Sequence, residues 1–327
     1  MIDTSPLTGL RLRLRPEEPL APRTTWRIGG PARFFAEVED APALAALLRW
    51  ARAEKLPAIP LGKGSNVLVP DEGLDAVVFV LSGELASVSV EAPLVRAGGG
   101  ASLMSLAVTA RNASLSGTEG LSGIPSSVGG AVRINAGAYG AEIFDLLEEV
   151  TLVSRSGALR VVPAASIPHG YRWSALCDGD DVVASATLRL RPATREEVDA
   201  RLAEVRERRR KALPTEPNAG SVFKNPPGDH AGRLLEACGL KGERVGGAGL
   251  HAHRRLPAER GDLGAGAEPA QQPLPEGGPG GGGAVAAGDE PAEGARGDEQ
   301  VVGGLQEDRE SGLGQPKGGG VIARHLG

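Results

Sequence analysis

The chain has 327 residues, with 36 Lys and Arg against 41 Asp and Glu, a formal net charge of −5, 48 glycines, 25 prolines and only 3% aromatics. No basic surplus exists for a nucleic-acid backbone, two cysteines make no disulfide framework, and no apolar run approaches the length of a membrane span. The N-terminal MIDTSPLTGLRLRLRP lacks the apolar centre of a signal peptide, so the chain reads as a soluble, cytoplasmic protein of up to two domains.

The first predicted helix is APALAALLRWARAEKLP, with Asp40 as its cap, Pro42 in its first turn, and Leu44, Leu47, Leu48 and Ala51 at helical spacing. AIPLG, NVLVP and AVVFVL follow as short β-branched runs that read as buried strands. SVSVEA and LVRAGGG continue the strand pattern, and SLMSLAVTARNA reads as a helix opening after Gly100. EVTLVSRSGALRVVPA, with a glycine turn at its middle, and VVASATLRLRP predict further strands. At Thr194-Arg-Glu-Glu197 a capping box opens the charged helix EEVDARLAEVRERRRKAL. Its basic end, Arg208 to Lys211, reads equally as a solvated face and as a holder of an anionic ligand. A last helix, GRLLEACG, follows the loop NAGSVFKNPPGDHA.

From Ala248 to Gly327 the pattern changes. These 80 residues hold 21 glycines and no aromatic, whereas all ten aromatics precede Gly247. Natural disorder fits that composition, and a divergent domain would need an apolar periodicity that is missing. A shift of reading frame near Ala248 fits too, because LHAHRRLPAE can be back-translated so that the next frame spells a folded strand. The expectation is a scrambled or disordered segment over 248–327.

Two glycine-rich stretches point to chemistry. In LGKGSNVLVPDEG, residues Gly62, Lys63, Gly64, Ser65 and Asn66 lie between strands, where successive backbone N–H groups can line a concavity for phosphate. The spacing is neither a P-loop nor a Rossmann fingerprint, and taken alone such a stretch is also compatible with an ordinary turn. The second, Gly117 to Ile143, is too poor in bulky side chains to pack as a helix or strand. It is read as a long ordered loop whose backbone can approach a flat ligand closely. Metal-ligand spacing is absent from the sequence, and no protein partner is evident.

Six collinear motifs carry a resemblance: TTWRIGGPA (24–32), LGKGSNVLVPDEG (61–73), GIPSSVGGAVRINAGAYG (123–140), GYRWS (170–174), NAGSVFKNP (218–226) and AGRLLEACGLKG (231–242). Over about Pro19 to Gly247 the chain resembles the UDP-N-acetylenolpyruvoylglucosamine reductase family, which reduces UDP-N-acetylglucosamine enolpyruvate to UDP-N-acetylmuramate for peptidoglycan synthesis. Only 49 positions separate Arg172 from Ser221, and no tyrosine lies between them, so the match is to the shorter form of that family. Ser126 stands where the family commonly has glycine, a change small enough that flavin binding should survive.

The resemblance implies an α+β fold. It gives a two-subdomain FAD-binding domain of the vanillyl-alcohol-oxidase type (19–192), then an incomplete α+β substrate domain (193–247). It implies FAD and NADPH as cofactors. It implies that Gly62, Lys63, Gly64, Ser65, Asn66, Gly123, Ile124, Pro125, Ser127, Gly130, Asn135 and Gly137 hold the flavin. Arg172 would stabilise an enolate and Ser221 would deliver a proton, assisted by a C-terminal glutamate that no matching context identifies. Tyr171, Lys211, Lys224 and Asn225 would contact substrate. The rival readings are a flavin-binding protein without turnover and an oxidase sharing the flavin-domain architecture.

Overall fold

The structure, a computed structural model, describes residues 2–212, 218 and 220–250. The expected scrambled segment therefore lies outside the described residues from 251 onward. Its first three positions are ordered: Ala248–Gly249 pair antiparallel with Arg244–Val245, and Leu250 exchanges backbone hydrogen bonds with Gly242 and Glu243. The chain thus continues as a hairpin past the break expected at Gly247.

The first sheet is four-stranded, in the order β1 (Leu12–Pro19), β2 (Pro31–Val38), β4 (Leu74–Leu81) and β3 (Ala58–Pro60). The pair β1–β2 is antiparallel, while β2 and β3 flank β4 in parallel. A central parallel strand is buried on both faces, which is why β4 reads as the nearly continuous apolar run LDAVVFVL. The sheet begins at Leu12, ahead of the boundary expected at Pro19.

Helix α1 (Ala41–Ala53) lies against this sheet with Leu44, Leu47, Leu48 and Ala51 buried, and the Asp40 carboxylate accepts from the Ala43 N–H at 2.8 Å as its cap. NVLVP forms no strand. Pro70 O is taken by the N–H groups of Gly30 and Gly73, and Val69 fills the space that the missing Cβ of Gly29 leaves, so the segment closes the end of the sheet.

The second sheet is five-stranded and antiparallel throughout. Its order is β8 (Leu159–Pro163), β7 (Leu147–Val153), β9 (Val182–Arg189), β6 (Leu94–Gly98) and β5 (Val88–Glu91). Helix α2 (Leu103–Asn112) opens after Gly100 as expected, capped by Ser102, and it buries Leu103, Leu106, Ala107 and Ala110. The stretch expected to be an unbroken loop contains a short helix, α3 (Val128–Arg133), with Val128, Ala131 and Val132 in the core. Val153, Val182 and Ala184 of the second sheet share a cluster with α1 and the first sheet, so that cluster joins the two.

Helix α4 (Arg195–Ala212) opens on the expected capping box: Glu197 N–H donates to Thr194 Oγ1 at 3.2 Å and Thr194 N–H to Glu197 Oε2 at 2.9 Å. Short α5 (Ala231–Ala237) follows. Among the described residues no helix is long and apolar enough to cross a membrane, and no cluster of three His, Cys, Asp or Glu could hold a metal ion.

Candidate functional site

Three of the glycine-bearing motifs meet at one end of the first sheet. Thr25 N–H donates to Gly64 O at 3.0 Å, which joins the 24–30 turn to the 62–66 loop. Ser65 Oγ donates to Pro125 O at 2.5 Å, tying the 62–66 loop to the 123–127 segment. Gly62 faces the Ser127 hydroxyl so closely that a Cβ there would stand 2.7 Å from its oxygen. Gly64 has φ +63°, and a Cβ on it would come within 2.1 Å of Arg23 O. Side chains are excluded at both positions, so the surface they make is backbone.

Ser127 is buried and accepts from Gly130 N–H at 3.2 Å, which fixes the start of α3. Beside the cradle, Trp26 Nε1 is buried with no acceptor among the described residues, the kind of orphaned donor that a polar ligand satisfies. Lys63 is exposed, Asn66 half-buried, and Gly123, Ile124 and Pro125 line the rim.

The C-terminal end of α3 organises a second cluster. Asn135 is wholly buried with φ +45°, and its Nδ2 donates to Glu142 Oε2 at 2.6 Å and to Gly170 O at 3.1 Å. Ser174 Oγ donates to Arg133 O at 2.7 Å. The GYRWS segment is thus pinned on both sides of Arg172, which itself sits at φ +55°. A non-glycine residue in that region is held there by its surroundings at some cost, a state that clusters at functional sites. Arg172 Nη2 donates to Gly137 O at 2.6 Å, and its Nη1 lies 3.8 Å from Glu142 Oε1. The guanidinium also stands 5.0 Å from the Tyr171 ring, whose side chain is exposed.

Arg172, Asn135 and Gly137 are therefore brought together, as are Gly62, Gly64, Ser65, Pro125 and Ser127. Ser221 and Lys224 are exposed on the segment after residue 220, and among the described residues neither is hydrogen-bonded to either cluster. Asn225 Oδ1 accepts from Ala231 N–H at 3.0 Å and orders the start of α5. Lys211 Nζ lies 3.4 Å from Glu207 Oε1 on the exposed end of α4. Beyond α4's midpoint, pairings hold the Glu207 and Asp229 carboxylates below their ordinary range. Arg210 and Lys211 bring Glu207 to about 2, and Arg233 with the His230 N–H lowers Asp229.

The α4 residue that reaches the glycine loop is Arg209, whose Cδ would clash with a Cβ on Gly123. Arg209 also lines a cavity of about 660 Å³ between α2 and α4, floored by Met104, Val108 and Leu202. Arg209 falls within the basic run Arg208 to Lys211 noted in the sequence, whereas neither Trp26 nor Glu142 was singled out there. A signal was present for Trp26, which lies within TTWRIGG.

Comparison with known proteins places the fold and the motifs in one family. A family model described as an FAD binding domain matches residues 32–162, and one for the UDP-N-acetylenolpyruvoylglucosamine reductase C-terminal domain matches residues 212–256, past the Gly247 limit of the motifs. The chain is 44% identical over 237 residues to UDP-N-acetylenolpyruvoylglucosamine reductase 2 of Symbiobacterium thermophilum, covering 72% of this chain and 77% of that one. It is 43% identical over 246 residues to the Moorella thermoacetica reductase, covering 74% and 80%. The crystal structure of the reductase (MurB) from Thermus caldophilus superposes with a TM-score of 0.64 at 39% identity, over 75% of this chain and 86% of that one. With the family model, the relatives at more than 40% identity and the shared fold in agreement, the chain belongs to the UDP-N-acetylenolpyruvoylglucosamine reductase family.

Proposed function

We propose that this chain reduces the enolpyruvyl ether of UDP-N-acetylglucosamine enolpyruvate with NADPH, giving UDP-N-acetylmuramate for the peptidoglycan precursor pool. Bound FAD supplies the relay of a hydride from NADPH to the terminal vinyl carbon. The residues present fit that cofactor. Gly62 and Gly64 make a surface no side chain can enter, and Trp26 Nε1 offers a buried donor. The backbone of 62–66 would hold the diphosphate, and 123–137, including Gly130 and Asn135, would lie along the ring system.

The chain's own residues do the rest. Hydride arrival at the vinyl carbon pushes negative charge toward the carboxylate side of the substrate. A fixed cation there lowers the barrier, and Arg172 is the cation that the fold holds in place. Ser221 would hand a proton to the remaining carbon, and Lys211, Lys224, Asn225 and Tyr171 would contact the sugar nucleotide.

The observation that carries this reading is the pinning of Arg172, in left-handed backbone, to Gly137 and next to buried Asn135. A reactive cation must be preorganised, and a surface arginine has no need of such support. The test is anaerobic and has two steps: NADPH bleaches the flavin of the FAD-loaded full chain, and the enolpyruvyl sugar nucleotide then restores its colour. Bleaching without restoration would favour a flavin-binding protein without turnover. Restoration only on admitting air would favour the oxidase.

A further inference from the structure

We propose that Glu142 is a positioning residue for Arg172, aiming its guanidinium without occupying the N–H groups that face the substrate. The proposal rests on the reading of Arg172 as the cation at the developing enolate.

The geometry separates attraction from hydrogen bonding. Glu142 Oε1 stands 3.8 Å from Arg172 Nη1, beyond hydrogen-bond range but well inside strong charge attraction. Nη2 is committed to Gly137 O at 2.6 Å. The guanidinium is therefore oriented by one carbonyl and one carboxylate, and among the described residues no hydrogen bond takes Nη1. A bidentate arginine–carboxylate fork would have consumed its hydrogens.

Glu142 is itself held from several sides. Its Oε2 accepts from Asn135 Nδ2 at 2.6 Å, from a side chain with no exposure at all. Its own N–H donates to Asp145 Oδ2 at 2.8 Å. Gly137 and Glu142 face each other across the two-residue ladder of 137–138 with 141–142. A Cβ on Gly137 would stand 2.8 Å from Glu142 Cγ, so the glycine lets the carboxylate pass over the turn toward the arginine. Both side chains keep roughly a third of their surface open, 31% for Arg172 and 36% for Glu142, as a site that must admit a ligand requires. Glu142 also forms the capping box with Asp145 that opens the turn Ile143–Asp145, so it serves that turn as well as the direction of Arg172.

Glu142→Gln separates aim from scaffolding. The amide oxygen can still accept from Asn135, so the fold and the GYRWS segment stay in place, and only the charge is removed. Two measurements on the full chain decide the matter. The first is the side-chain nitrogen NMR signal of the Arg172 guanidinium, assigned by its loss in Arg172→Lys, which needs neither cofactor nor turnover. It should be sharp in the parent, broadened in Glu142→Gln, and recovered in part in Glu142→Asp.

The second measurement follows the two half-reactions of the FAD-loaded protein. Flavin reduction by NADPH should stay within about twofold. Reoxidation by the enolpyruvyl sugar nucleotide should slow by about tenfold to a hundredfold with KM nearly unchanged, the size that a misplacement of order 1 Å costs. An unchanged Arg172 signal in Glu142→Gln overturns the proposal, and so does parental reoxidation or equal slowing of both halves. If the parent itself is not reoxidised by this substrate, the functional reading fails instead, and the NMR signal alone decides whether Glu142 orders Arg172.

Discussion

Gly64 shows how much a single atom decides at the cradle. With φ +63° and Arg23 O where its Cβ would go, it can be neither relaxed nor replaced without moving backbone. Gly64→Ala costs about 1–2 kcal/mol for the left-handed conformation alone, before the clash is counted. Because the loop carries the proposed diphosphate contact, FAD affinity should fall at least about tenfold while the protein stays folded, by flavin titration beside circular dichroism. Unchanged affinity would remove the 62–66 loop from the flavin site.

Ser221 invites a different test. In the proposed reaction its hydroxyl acts only when carbon is protonated, so Ser221→Ala should leave NADPH bleaching near normal. It should slow reoxidation by about a hundredfold to ten thousandfold, typical of a lost general acid. Equal slowing of both steps would take the proton-donor role from it. Glu142 was illegible in the sequence at this scale, because no spacing says that a carboxylate past a GAYG turn doubles back across a glycine onto an arginine 30 positions later.

At the scale of elements, α4 is the joint worth probing. It is a highly charged helix that buries Val198 and Val205 and otherwise docks through polar contacts. Arg111 on α2 grips Asp199 through both Nε and Nη2, the latter at 2.7 Å, and Arg201 Nη1 donates to Ser116 Oγ at 2.8 Å. The Arg111 hydrogen bonds hold the Asp199 carboxyl below its ordinary range. A carboxyl lowered on folding stabilises the docked helix above its ordinary value, and that contribution is lost as pH falls through the lowered one. Amide exchange across α4 should therefore rise below about pH 4, and Asp199→Asn should flatten that dependence. A profile identical in the two proteins would contradict the anchoring role. Thr194→Ala removes the cap oxygen and should cost about 1 kcal/mol by denaturant unfolding.

Helix limits were the most legible feature among the elements, since Asp40 and Thr194 announce their caps chemically. Strand β1 was missed although LRLR alternates, because a half-exposed edge strand carries few apolar residues. NVLVP misled for the opposite reason, its valines serving to plug the sheet's end.

For the whole molecule, one of three apolar clusters among the described residues spans both sheets, with Phe79 and Leu44 beside Val153 and Val182. Phe79→Ala should destabilise by about 3–5 kcal/mol, and the two sheets should unfold in one transition. Separate transitions would show that the sheets are independent. The family and the α+β class were legible because six motifs keep their order along the chain. The meeting of those motifs was not, since it depends on β2 and β4 pairing in parallel across the α1 and β3 crossover.

The central claim is that the cradle and Arg172 together reduce an enolpyruvyl ether. The direct measurement is anaerobic product analysis of the FAD-loaded full chain given NADPH and the enolpyruvyl sugar nucleotide. The account predicts UDP-N-acetylmuramate formed in step with NADPH consumed, and its loss in Arg172→Ala with flavin still bound. NADPH consumption without that product, or undiminished product from Arg172→Ala, would contradict it.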